Sequence, residues 1–146
     1  MKVEQRKDIR IDILQICDKA DQVLLTGSKY ICPSIDNKDI DIMLLVPDVY
    51  AFADQNKFED DTGRMYPWTL MKSYRIDDYN ILLTGSEEYF AKWEFATKLA
   101  IGLNLTNKED RKFLFSTILD DQRLSIDTNL GIVESFIGKL AEIYGN

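Results

Sequence analysis

The sequence predicts an α/β (α+β) fold: a small mixed β-sheet flanked by an N-terminal helix and three C-terminal helices. Three observations predict it. Apolar residues recur at helical spacing near the start of the chain. Short apolar or β-branched runs follow one another between residues 22 and 84. From residue 86 onward the pattern is helical, with capping residues at two starts. At 146 residues, 45% hydrophobic and 11% aromatic, the chain is long enough for one packed core and shows no linker that would divide it. We therefore expect a single domain over 1–146, with a core at about 20–85 and a helical part at 86–146.

Each element has its own signal. Residues 4–20 read as a helix, because Ile9, Ile13, Ile16, Cys17 and Ala20 recur at spacings of three and four. Gln22 to Thr26 is a buried strand, ended by Gly27 and Ser28. Tyr30 to Lys38 holds Pro33, Ser34, Asp36 and Asn37 and reads as a loop. Asp39 to Val46 is a second strand, stopped by Pro47, and 48–58 forms a short helix. The polar stretch 57–66 is a loop. Trp68 to Ile76 and Tyr79 to Thr84 are strands joined by Asp77-Asp78 in a tight hairpin. Ser86 caps a helix whose stripe is Tyr89, Trp93, Ala96, Ala100 and Leu103. Thr106-Asn107-Lys108-Glu109 is a capping box opening the next helix, with Phe113, Leu114, Phe115, Ile118 and Leu119 on its core side. A polar connection over 120–129 leads to a last amphipathic helix over 132–144. The pentapeptide LLTGS occurs at 24–28 and at 82–86, but the likeness stops there and marks no repeat.

Composition excludes several chemistries. The chain has no histidine, so Ser-His-Asp and Cys-His catalysis, histidine-ligated zinc and histidine bases are absent. A net charge of −7 opposes non-specific binding to nucleic acid or anionic membrane. Any nucleotide must then meet a local basic patch or a metal. No apolar run approaches the length of a membrane span. Cys17 and Cys32 form no metal-type pair, and Cys17 reads as a buried thiol. With no signal peptide apparent, a reducing, cytoplasmic setting is expected.

Few residues remain to carry chemistry. Asp39 and Asp41 share one face of a strand, where two carboxylates repel and resist burial. A hard divalent cation, Mg²⁺ or in its place Mn²⁺, is the natural compensator; a solvated strand start is the plain alternative. Gly27 and Ser28 follow a strand, where backbone N–H groups and a hydroxyl approach a phosphate closely. Lys29 adds charge to that turn or is simply exposed. Lys108 and Arg111, with Lys112 next, sit at a helix start, where cations oppose the macrodipole unless an anion joins them. Pairing with Glu109 and Asp110 is their structural alternative. Arg75 reaches either a phosphate or Asp77 or Asp78. Trp93 reads as core before it reads as a base platform. Asp60 and Asp61 are adjacent and cannot flank a glycosidic bond.

The pattern Leu25-Thr26-Gly27-Ser28, a loop, then Asp39-Ile40-Asp41 resembles the signature of the nucleotidyltransferase superfamily with the polymerase-beta-type core. Ser73-Tyr74-Arg75, Asn80 to Thr84, Phe90-x-x-Trp93-x-x-Ala96-Thr97 and Lys108-x-x-Arg111-x-x-x-Phe115 resemble small predicted bacteriophage nucleotidyltransferases. The likeness covers roughly residues 20–120. It implies a nucleotidyltransferase-like core in which the Gly27-Ser28 turn holds the triphosphate of an NTP and Asp39 and Asp41 bind Mg²⁺. It also implies transfer of a nucleotidyl group to a hydroxyl on RNA, protein or a small molecule, in the host cytoplasm if the gene is a phage's. The superfamily usually supplies a third carboxylate from a later strand. Here Asn80 stands in the similar strand, with no charge to help deprotonate a hydroxyl. A catalytically weak or inactive nucleotide-binding or interaction module on the same scaffold is therefore the alternative, and an acidic interaction protein imitating nucleic acid is a third.

Overall fold

A computed structural model describes residues 9–33, 39–59, 70–119 and 141–142. Helix α1 (Ile11–Cys17) leads into strand β1 (Gln22–Thr26), a five-residue helix α2 (Gly27–Ile31) and strand β2 (Ile40–Leu45). Helix α3 (Val49–Gln55), the hairpin β3 (Lys72–Ile76) and β4 (Tyr79–Thr84), and helices α4 (Glu87–Gly102) and α5 (Lys108–Leu119) follow. The sheet is mixed, in the order β1-β2-β4-β3. β1 runs antiparallel to β2, β2 parallel to β4, and β3 antiparallel to β4. The α+β class read from the sequence is the observed one.

The central strands are buried on both faces, so their sequences are almost wholly apolar. Ile42, Leu44, Ile81 and Leu83 point to one side, where Ile13, Cys17 and Phe52 of α1 and α3 cover them. Met43, Leu45 and Leu82 point to the other, against Tyr89, Phe90 and Trp93 of α4 and Leu114 and Phe115 of α5. The period of two along the strands sorts each side chain to its layer. Hence the odd-numbered positions of β2, Asp41 included, look toward α4 and α5; Asp39, expected to open the strand, lies one residue before it. The expected stripe on α4 is the buried one. No helix among the described residues is long and apolar enough to cross a membrane.

Some boundaries differ from expectation. The first helix begins at Ile11, after an extended Arg10, and closes at Cys17, where Lys19 and Ala20 donate to carbonyls three residues back. Residues 4–8 of the expected span lie outside the described residues. The segment after β1 does not pass directly into a loop: Gly27 to Ile31 makes one short turn of helix first. Strand β3 starts at Lys72; the expected start at Trp68, and most of the 57–66 loop, lie outside the described residues. The cap of α5 is Asn107, whose Oδ1 accepts from the N–H groups of Glu109 and Asp110, at 2.8 and 3.3 Å, so the cap lies one residue after the expected Thr106. The 120–129 connection is also outside the described residues, as is all of the last helix except 141–142, which are helical. At the hairpin, Asp77 takes a φ of +51°, a left-handed conformation that aspartate tolerates.

Candidate functional site

The register of the sheet lines up Thr26, Asp41, Asn80 and Arg75 as neighbours across all four strands. Their side chains form a polar row on the α4–α5 side of the sheet. Asn80 Nδ2 donates to Asp41 Oδ1 at 2.7 Å, and Arg75 Nη1 donates to Asn80 Oδ1 at 3.2 Å. The other end of the same guanidinium meets Asp39 Oδ1 at 2.7 Å. Burial pushes the Asp41 carboxyl above the usual carboxylate range; the Asn80 bond and Arg75 oppose that shift, and the charge on Asp39 adds to it.

At the β1 end of the row the chain turns through Gly27, with φ +83°. A Cβ built there would lie 1.9 Å from Asp41 Oδ2. The missing side chain is thus what lets the turn lie against the carboxylate, and the positive φ independently favours glycine. Thr26, just before it, is 1% exposed and fully hydrogen-bonded. Trp93 Nε1 donates to Thr26 Oγ1 at 3.0 Å, while Thr97 Oγ1 donates to the Trp93 carbonyl at 2.8 Å. One proton per hydroxyl then requires Thr26 to donate to Thr97 Oγ1, 2.8 Å away. These bonds pin the strand end to α4.

From α5 comes Arg111, 7% exposed. Its Nη1 donates to the Leu105 carbonyl at 2.9 Å and its Nη2 to Ser28 Oγ at 3.1 Å. Both partners are neutral, so the buried guanidinium keeps its charge within the turn's reach. Lys112 lies 4.0 Å from Glu109. The local pairing of Arg111 with Glu109 or Asp110, considered from the sequence, gives way to a bond across 83 positions.

A cleft of about 170 Å³ joins these parts. Thr26, Gly27, Ser28 and Asp41 form one wall, and Lys108, Arg111 and Lys112 the other, with Trp93 and Phe115 between them. Of the residues singled out in the sequence, Gly27, Ser28, Asp41, Lys108 and Arg111 meet here. Asp39 and Asn80 stand next to Asp41 in the row. Lys29 does not line this cleft: it is exposed and borders a neighbouring cavity of about 300 Å³ with Tyr30 and Ile40, which Asp41 also reaches. Arg75 pairs with Asp39, not with Asp77 or Asp78; Asp77 is held instead by Arg10 at 2.6 Å. Thr26, Lys112 and Phe115, which the sequence motifs contain without a site role of their own, also line the cleft, as does Ile31, which sequence reasoning did not single out.

The donor set suits a hard cation: two carboxylates on one strand face, the inner one raised by burial and touching a glycine turn. Among the described residues no third Asp, Glu, Cys or His joins them in a metal-type cluster. No protein-family model, no curated protein and no solved structure matches the chain.

Proposed function

We propose that the cleft binds a nucleoside triphosphate together with Mg²⁺, or Mn²⁺ in its place, and that the protein moves the nucleotidyl group to a hydroxyl acceptor. The observation that carries this reading is the meeting, in one cleft, of a buried guanidinium and a serine hydroxyl with a half-buried carboxylate. Arg111 and the Ser28 O–H hold phosphate oxygens, and Lys108 and Lys112 add positive charge at the mouth. Asp39 and Asp41 are the residues that would hold the ion. When bound, the cation would neutralise phosphate charge and help align the acceptor oxygen. The bond formed is acceptor oxygen to α-phosphorus, the bond broken is the α–β bridge, whose electrons leave with pyrophosphate, and the acceptor's O–H proton passes to solvent water. Trp93 and Phe115 make the cleft's inner wall apolar, which strengthens the charge interactions beside it. Both cysteines are buried thiols, in keeping with action in a reducing cytoplasm.

A second reading has its own support. Asn80 in the row carries no charge, and Arg75 neutralises Asp39, so nucleotide binding with weak or absent transfer fits the same residues. Calorimetric titration of each NTP, with and without Mg²⁺, on the wild type and on Asp39→Asn/Asp41→Asn tests the shared part. Metal-dependent binding that the double variant loses supports the site, and no binding by the wild type sinks it. Release of pyrophosphate from a bound NTP then separates enzyme from binding module.

A further inference from the structure

The polar row has an internal cation. Arg75 lies on the edge strand, opposite Asn80, and spans from Asn80 Oδ1 at 3.2 Å to Asp39 Oδ1 at 2.7 Å. Asn80, in turn, presents its N–H to Asp41 at 2.7 Å. Each carboxylate is therefore already met by a donor from a neighbouring strand. With Asn80 neutral, the two aspartates and the guanidinium of this row sum to a single negative charge. One divalent cation reverses that charge, and among the described residues the row offers no further carboxylate to meet a second. Geometry agrees with the count, because the amide and the guanidinium occupy the β4 side of Asp41 and Asp39, and Asp41 is reached from the cleft and the neighbouring cavity that it lines.

We propose that Arg75 and Asn80 set this site to take one divalent cation, with the Arg75 guanidinium standing where a second would be needed. Arg75 is a positioning residue: it acts through Asp39 and does not line the cleft. The inference rests on the reading of Asp39 and Asp41 as metal ligands, and its test separates the two. Mn²⁺ alone is titrated into the apo protein, with free Mn²⁺ counted by its paramagnetic resonance signal. The proteins are the wild type, Arg75→Gln, Arg75→Lys, Arg75→Gln/Asn80→Asp and Asp39→Asn/Asp41→Asn. The wild type should bind a single Mn²⁺. Arg75→Gln should bind it at least about tenfold more tightly, since a guanidinium this close shifts a carboxylate's cation affinity by about one to three powers of ten. Arg75→Lys keeps the charge and should stay near the wild type. Arg75→Gln/Asn80→Asp should bind two. Two ions on the wild type, or equal affinity for wild type and Arg75→Gln, overturns the role of Arg75 while leaving the metal site standing. A wild type that binds none while Arg75→Gln binds one overturns the single-ion count. No Mn²⁺ on any variant removes the metal reading and this inference with it. Arg75 is exposed on an edge strand, and unchanged thermal unfolding of Arg75→Gln and Arg75→Lys would tie altered counts to the site.

Discussion

The two walls of the cleft settle their charges in opposite ways. On the α5 side, Arg111 is buried against a carbonyl and a hydroxyl, partners that orient it without neutralising it. On the sheet side, Asp39 and Asp41 are met by a guanidinium and an amide from the adjacent strands. A buried charge with neutral partners gains much from an incoming counter-ion, whereas a neutralised pair must first give up a partner. On the proposed function, the cationic wall would receive an anion directly and the acidic row would admit a cation more reluctantly, so that nucleotide phosphates would make the first contact and their charge would help the metal to bind.

Gly27 joins the walls, so its replacement should have the largest effect. Gly27→Ala meets both a positive φ and Asp41, and should lower stability by about 2–5 kcal/mol, backbone strain and overpacking taken together. Urea unfolding measures the loss; an unchanged midpoint would mean the turn and Asp41 do not touch. Next comes Arg111→Met, which fits the space but leaves the Leu105 carbonyl without its donor. We expect about 1–3 kcal/mol less stability and NTP binding weakened about tenfold to hundredfold, as for a charged hydrogen bond. Equal affinity in calorimetry would show that anions bypass this wall.

Asp41→Asn separates the acidic row from the fold. The folded-state carboxyl is raised, so the folded protein binds its proton more tightly than the unfolded chain does. Ionisation therefore costs stability as pH climbs through the unfolded value of about 3.9 toward the folded one, and below that range the cost is absent. The melting temperature of Asp41→Asn, relative to wild type, should rise between acid and neutral pH, while Mg²⁺-dependent nucleotide binding is lost. A large fall in apo stability at neutral pH would make Asp41 structural. The smallest effect is expected from exposed Lys108. Lys108→Ala should weaken triphosphate binding by about two- to fivefold and monophosphate binding less, a difference that fades at high salt. Equal losses for both ligands would put Lys108 away from the outer phosphates.

Much of the scaffold was legible because its signals are local. β1, β2 and β4 are nearly continuous apolar runs with turn residues at their ends, and α4 announces itself by Ser86, whose Oγ accepts from Tyr89 N–H at 3.1 Å. The five residues of α2 escaped notice because one turn of helix carries no periodicity, and Pro33 and the polar residues after it dominate the composition. Within the site, Gly27, Ser28, Asp39 and Asp41 could be read from spacing alone. Their partners could not. Arg75 reaches Asp39 through the β3–β4–β2 register, and Arg111 reaches Ser28 through the packing of α5, and neither relation is written in neighbouring residues. Lys29, next to Ser28 in sequence, illustrates the converse: one step along a helical turn sends its side chain to the other side of Gly27.

The bond from Trp93 to Thr26 gives the molecule a built-in optical probe. The indole is fixed at the cleft wall, 5.3 Å centroid to centroid from Phe115, and its N–H is tied to the residue preceding the glycine turn. The chain has one other tryptophan, Trp68, so Trp68→Phe would leave a single emitter seated at the cleft. Occupation of the cleft by a ligand, or any movement of the turn, would then register directly as a change in fluorescence intensity or colour, with no label attached.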